Sequence, residues 1–251
     1  MAQQRAAIVT GAGSGIGLAT AARLARDGYA LALVGRRGPV LADAAAELAR
    51  ATGVSPSRLL TISADVSRPE DVDRVVDHTT RSLGGINVLV NNAGLGEVLP
   101  IPRTDWDALR RVFELNALGV GYLIHRAWPS LIERRGCIVN VSSYAALDPF
   151  DGFFAYGATK AAVNLMTLSA SREGAAYGVR AFSVAPGAVE TPLLRTAFGE
   201  DLVPRNACLT PADVAQVIGD CIAGRRDTDN GRTIYIRRDE SGGVHEQVLD
   251  R

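Results

Sequence analysis

Ala6-Ala7-Ile8-Val9 runs directly into Thr10-Gly11-Ala12-Gly13-Ser14-Gly15-Ile16-Gly17, and an Ala-rich stretch of helical composition, residues 18–26, follows at once. A short apolar run, a glycine turn and a helix in that order read as a strand delivering the chain into a phosphate-binding βα turn. At Gly11, Gly15 and Gly17 the missing Cβ atoms permit a tight turn and let backbone N–H groups and a helix N-terminus approach a pyrophosphate. Between a first strand and a first helix this spacing points to dinucleotide binding; the alternative is an ordinary βα turn.

Outward from that turn, short apolar runs recur at residues 30–34, 59–62, 88–90, 137–141, 179–184 and 233–236, with helical composition between them. Parallel strands need crossover connections, and the crossing helices cover both faces of the sheet. The pattern therefore predicts a single doubly wound α/β domain over 1–251 with a seven-stranded parallel sheet and a charged tail from about residue 237. A long helix running from near Tyr156 to Gly178 and an N-cap at Thr210-Pro211 agree with it.

Composition narrows the partners. The chain has 251 residues, 47% hydrophobic and 22% charged, too apolar for intrinsic disorder. Twenty-seven basic residues balance twenty-seven acidic ones, which removes any global electrostatic reason to bind nucleic acid or anionic lipid and favours a small-molecule partner. Cys137, Cys208 and Cys221 have no metal or disulfide spacing and read as thiols in a reducing cytoplasm. His78, His125 and His245 show no ligand pattern, so no metal is expected. No apolar run approaches the roughly 18 residues of a membrane span, and the opening segment reads as a strand rather than a signal peptide.

The second strand leads into Arg36 and Arg37, where an acidic residue would bond the ribose hydroxyls of NAD. Arginine's planar fork suits a 2′-phosphate, so NADP(H) is expected over NAD(H), although Ser14 adds no second positive charge. The alternative is a pair of solvated loop arginines.

Thr10–Gly17, Asp65-Val66, Asn91-Asn92-Ala93-Gly94, Asn116, Ser143, Tyr156-x-x-x-Lys160 and Pro186-Gly187, in this order and each beside a strand or helix, resemble the short-chain dehydrogenase/reductase family over roughly residues 5–236. The resemblance implies a Rossmann-like fold and hydride transfer between a nicotinamide and a carbonyl or secondary alcohol. Tyr156 and Lys160 are four apart and share a helix face. A phenol of reference pKa about 10 needs roughly 4 kcal/mol of differential stabilisation to titrate near 7. One ammonium about 5 Å away at an effective dielectric near 20 supplies roughly 3 kcal/mol. Tyr156 is thus expected as general acid and base with a pKa depressed by Lys160. By resemblance, Lys160 also bonds the nicotinamide ribose.

For oxyanion stabilisation chemistry leaves Ser142 and Ser143 open, and the family pattern selects Ser143. Asn116, a polar residue inside a helical stretch, is expected to distort the helix or hold a water, which in similar enzymes connects the lysine to solvent. The resemblance further assigns cofactor contacts to Gly11, Ser14, Gly15, Ile16, Gly17, Asp65, Val66, Asn92, Ala93, Gly94, Pro186, Gly187, Val189 and Thr191. Asp65 reads equally as an Asx turn, the Asn-Asn-Ala-Gly stretch as a brace for the central sheet, and the segment after Pro186 as a plain turn.

Leu147, Phe150, Phe153 and Phe154, with Leu193, Leu194, Phe198, Leu202 and Val203, favour an apolar ketone or alcohol as substrate; a lid or subunit contact is the other reading of them. The charged run after Ile236 departs from the glycine-rich ending of similar proteins. Resemblance implies a ketoreductase-type homo-oligomer, a dimer or tetramer, formed through residues 105–128 and 156–178. The rival to an enzyme is a dinucleotide-sensing binding protein of the same fold; a hydrolase built on Ser143 lacks a nucleophile elbow and an identifiable base.

Overall fold

A computed structural model describes residues 4–239 and 241–249; residues 1–3, 240 and 250–251, including part of the opening segment and of the charged run, lie outside it. The strands are β1 (Ala6–Thr10), β2 (Ala30–Gly35), β3 (Leu59–Ser63), β4 (Val88–Asn91), β5 (Cys137–Val141), β6 (Arg180–Pro186), β7 (Thr233–Arg238) and β8 (Val244–Val248). They form one sheet in the order β3-β2-β1-β4-β5-β6-β7-β8. Seven strands are parallel, as their apolar runs require, and β8 is antiparallel to β7.

The eighth strand corrects the expectation of a bare tail. Asp239 accepts from Gly243 N–H at 2.8 Å through its carboxylate, and Gly242 takes φ +85° to turn the chain back. The first four side chains of β8 are exposed, so it has no buried face to give an alternating pattern. Backbone pairing along the edge of β7 makes it a strand, and an ion pair from Arg226 to Glu246 ties it down.

The helices are α1 (Gly15–Arg26), α2 (Gly38–Thr52), α3 (Pro69–Leu83), α4 (Trp106–Phe113), α5 (Gly119–Arg134), α6 (Phe154–Gly174), α7 (Pro192–Ala197) and α8 (Pro211–Ile222). Alternate residues of each strand feed opposite faces, the period-2 geometry of a pleated sheet. Ala7, Val9, Leu31, Leu33 and Val184 pack with Leu24 of α1 and Ile218 of α8. Ala6, Ile8, Ala32, Leu89 and Ile138 pack with Val72 and Val75 of α3 and Leu123 and Leu131 of α5. The expected cap is present as a capping box: Asp213 N–H donates to Thr210 Oγ1 at 3.2 Å and Thr210 N–H to Asp213 Oδ2 at 2.7 Å. The chain leaves β1 toward β2 on one side, while β4 takes the other side. Strand order therefore reverses at β1, and a crevice opens at the carboxyl ends of β1 and β4.

Candidate active site

The glycine turn occupies that crevice. Gly11 (φ +66°) and Gly15 (φ +55°) take the left-handed conformation. A Cβ on Gly17 would stand 2.2 Å from Gly11 O, so this residue packs beneath the turn rather than facing the groove. Thr10 joins the turn to the end of β4: its Oγ1 accepts from Asn92 N–H at 2.9 Å and Ala93 N–H at 3.0 Å, and Asn92 Nδ2 donates to Thr10 O at 2.9 Å.

Ser14, the N-cap of α1, is extended and makes no side-chain cap bond, and the first turn of α1 carries no acidic residue. Uncapped N–H groups at a helix N-terminus beside a glycine-lined groove fit a pyrophosphate. The groove, about 460 Å³, is lined by Gly11, Ser14, Gly15, Ile16, Arg36, Arg37, Asp65, Val66, Asn92, Ala93, Gly94 and Thr191. Arg36 and Arg37 are exposed, and among the described residues neither guanidinium has a hydrogen-bond or ion-pair partner. Asp65 takes the local reading for its carboxylate, which accepts from Ser67 N–H at 3.1 Å and Ser67 Oγ at 2.7 Å as an Asx turn does. Asn91 is the brace of its motif, donating through Nδ2 to Asn140 Oδ1 at 2.8 Å across β4 and β5.

The second cluster stands beside the first. Residues Glu114–Leu118 form a single π turn between α4 and α5, the distortion expected around Asn116. Fully buried, Asn116 accepts from Leu95 N–H at 2.8 Å and donates to Leu95 O at 2.9 Å, which fixes the chain just after Gly94. A Cβ on Gly94 would lie 3.4 Å from Asn116 Oδ1 and 3.6 Å from Lys160 Nζ, so the backbone there is the spacer between these two side chains.

Lys160 Nζ donates to Val141 O at 2.8 Å. Ser142 is buried and donates to Lys160 O at 3.2 Å, so its hydroxyl is committed to α6. Ser143, by contrast, faces Tyr156. Its Oγ also accepts from Ala145 N–H at 3.2 Å, so the two hydroxyls differ in their partners, Lys160 O for Ser142 and Ala145 N–H with the Tyr156 phenol for Ser143.

Tyr156 corrects an electrostatic expectation. Burial pushes its phenol above the ordinary value and the Ser143 hydroxyl, its hydrogen-bond partner, pulls it back only in part. Burial also lowers Lys160 to about 8. The ammonium lies 5.7 Å from the centre of the Tyr156 ring. The same dry surroundings that raise the phenol weaken the charge meant to lower it. Desolvation prevails.

A cavity of about 990 Å³ opens over Ser143, Tyr156 and Lys160 and continues to Pro186, Gly187, Val189 and Thr191. Thr191 and Leu193 line both this cavity and the groove, so the two are continuous. Phe153 stacks edge-on with Phe150 (centroids 6.0 Å) and Phe198 (5.9 Å), and its centroid lies 5.1 Å from that of Tyr156. Leu194, Leu202 and Val203 complete the apolar wall, whereas Leu147 and Phe154 stand outside it, exposed.

Sequence reasoning missed Tyr144, Asp148, Asp151 and Arg237, which also line the cavity. The position of Arg237 at the carboxyl end of β7 was the available signal. It also missed that Lys160 is the chain's one lysine, readable by counting alone. Among the described residues no histidine lines either space, no group of side chains is placed to hold a metal, and no helix is long and apolar enough to cross a membrane. The three thiols are buried and unpaired, with Cys137 pushed up to about 12 by burial.

A family model described as short chain dehydrogenase matches residues 5–201. The chain is 30% identical over 239 residues to 3beta-hydroxysteroid dehydrogenase 1 of Eggerthella lenta, covering 91% of this chain and 90% of the relative. Its fold is similar to that of 3-ketoacyl-(acyl-carrier-protein) reductase from Brucella melitensis complexed with NADH (TM-score 0.83, 29% identity, 92% and 96% of the two chains). It is equally similar to L-sorbose reductase from Gluconobacter frateurii complexed with NADPH and L-sorbose (TM-score 0.84, 28% identity, 94% and 95%).

Proposed function

Because the chain belongs to the short-chain dehydrogenase/reductase family and is therefore a nicotinamide-dependent oxidoreductase acting on C=O and CH–OH groups, we propose that it reduces apolar ketones with NADPH, Tyr156 giving up the proton. The observation that carries this reading is the continuity of the glycine groove with the cavity over Ser143, Tyr156 and Lys160. A nicotinamide dinucleotide held in the groove by Gly11, Ser14, Gly15 and Thr191 would supply hydride chemistry at the carbonyl carbon. Every other part falls to side chains of this protein.

A phenol raised by burial is protonated at neutral pH, the form a general acid needs to deliver a proton to the developing alkoxide. Ser143 orients that phenol and stabilises the substrate oxygen. Lys160 and Asn116, on either side of the Gly94 backbone, hold the ribose side of the site, Lys160 with an ammonium that loses its proton near pH 8. Ser14, Gly15, Ile16 and the α1 N-terminus take the pyrophosphate, Asp65 and Val66 the adenine, Asn92, Ala93 and Gly94 its ribose, and Val189 and Thr191 the carboxamide end. The decisive assay follows NADPH absorbance against a panel of apolar ketones. Dinucleotide binding without turnover of any of them would leave the sensing reading in its place.

For NADP over NAD the support is local: β2 ends at Gly35 and leads into Arg36-Arg37, both guanidiniums are free of partners among the described residues, and the carboxylate that lines the same groove, Asp65, is held by Ser67. The double variant Arg36→Ala/Arg37→Ala is expected to raise KM for NADPH about tenfold or more while changing that for NADH little, since two charge-assisted bonds to the 2′-phosphate are lost. An unchanged NADPH/NADH ratio overturns the preference.

Trp106 (76% exposed), Leu118 (61%) and Leu165 (57%) put large apolar side chains on the outer surface of α4, the π turn and α6. They support a homo-oligomer packed through these helices. A monomeric mass by light scattering at micromolar concentration would exclude it. The unpaired thiols support a cytoplasmic location.

A further inference from the structure

Residues alternate sides along a strand, and the last two positions of β7 use that alternation to opposite ends. Arg238 is consumed by the fold: it donates to Cys208 O at 3.1 Å, Gly242 O at 2.7 Å and Asp213 Oδ2 at 3.2 Å. Arg237, on the other side of the strand, is exposed and lines the substrate cavity, with its Cβ beside Gly187 at the carboxyl edge of the sheet. Among the described residues its guanidinium has no hydrogen bond and no ion pair. The neighbouring cations of this rim are neutralised by comparison, Arg195 by Glu190 and Arg205 by Glu200 at 2.7 Å.

From this we infer that Arg237 is a specificity-determining residue which selects, within the carbonyl chemistry proposed above and resting on it, ketones that carry a carboxylate at the far end of an apolar body. The apolar body lies against Phe150, Phe153 and Phe198, and the carboxylate takes the two parallel N–H donors that Arg237 leaves unused. Asp148 and Asp151, on the loop between β5 and α6, line the same cavity with the opposite sign. They repel an anion that enters on their side, so the pair of charges also sets the direction in which the substrate lies.

The test uses methyl-ketone carboxylates of increasing chain length, each against its methyl ester and against the matching ω-ammonium ketone. For the unaltered protein, kcat/KM for the carboxylate exceeds that for the ester by about tenfold at the optimum length, the scale of one charge-assisted bidentate pair. In Arg237→Gln that ratio collapses toward one through the KM of the carboxylate, and in Arg237→Glu the ammonium ketone becomes the better substrate. NADPH affinity, read by fluorescence, reports that the variants are folded, because Arg237 does not line the dinucleotide groove. An unaltered protein that prefers the ester or the ammonium ketone overturns the inference, as does a ratio indifferent to Arg237. Failure to reduce any ketone would instead overturn the proposed function.

Discussion

Tyr156→Phe is expected to bind NADPH as tightly as the parent and to reduce ketones about 10²- to 10⁴-fold more slowly, the contribution general acid catalysis ordinarily makes. Removing the hydroxyl deletes the proposed proton donor and leaves the ring that Phe153 packs against, so the fold and the groove are expected to persist. Residual rates within twofold of the parent would remove Tyr156 from the chemistry. The pH dependence carries a sign. A donor raised above its ordinary value keeps its proton through the neutral range, so reduction holds and alcohol oxidation rises as pH increases. Lys160 adds a second step, because its charge is present below about 8 and lost above it. Measured in the direction of ketone reduction as kcat/KM for NADPH, which reports the free enzyme, activity is expected to fall as pH rises through about 8. Lys160→Met lacks that limb at a lower overall rate; a limb that survives in it assigns the titration elsewhere.

Gly17→Ala is the change the phosphate turn tolerates least. The new methyl would meet Gly11 O at 2.2 Å and Asn92 Nδ2 at 2.6 Å, and the first of these is backbone. Either Gly11 moves or α1 withdraws, and both open the turn that Thr10 and Asn92 hold together. The expected destabilisation is about 1–3 kcal/mol, a fall in Tm of roughly 2–4 °C for each kcal/mol in a chain of this size. Dinucleotide affinity should drop by about tenfold or more as the helix N–H groups leave their alignment. Gly38→Ala is the matched control, with nothing nearer to the new methyl than Ser63 Cβ at 3.9 Å. Equal effects of the two substitutions would remove the turn from the explanation.

What could be read from the sequence was what burial writes into it. The runs 6–9 and 30–34 are apolar throughout because β1 and β2 are covered on both faces, and the glycines mark where backbone must pass close to backbone. The π turn announced itself as an asparagine among apolar neighbours. β8 left no such trace, since an edge strand held by its backbone needs no apolar side. The sign of the shift at Tyr156 was equally hidden: helix spacing placed the lysine on the right face, but the depth of the cavity decided which term prevailed. Ser142 and Ser143 differ by where one hydroxyl points, which adjacent identical residues cannot encode.

One lysine in 251 residues, held in the active cavity, leaves an outer surface whose cations are all guanidinium. An activated ester therefore meets no background of exterior ammonium groups: apart from the α-amino terminus, acylation has a single address. Because about half of that amine is unprotonated near pH 8, mildly alkaline labelling buffers suffice, and the mass of one tryptic peptide becomes a gauge of how full the site is.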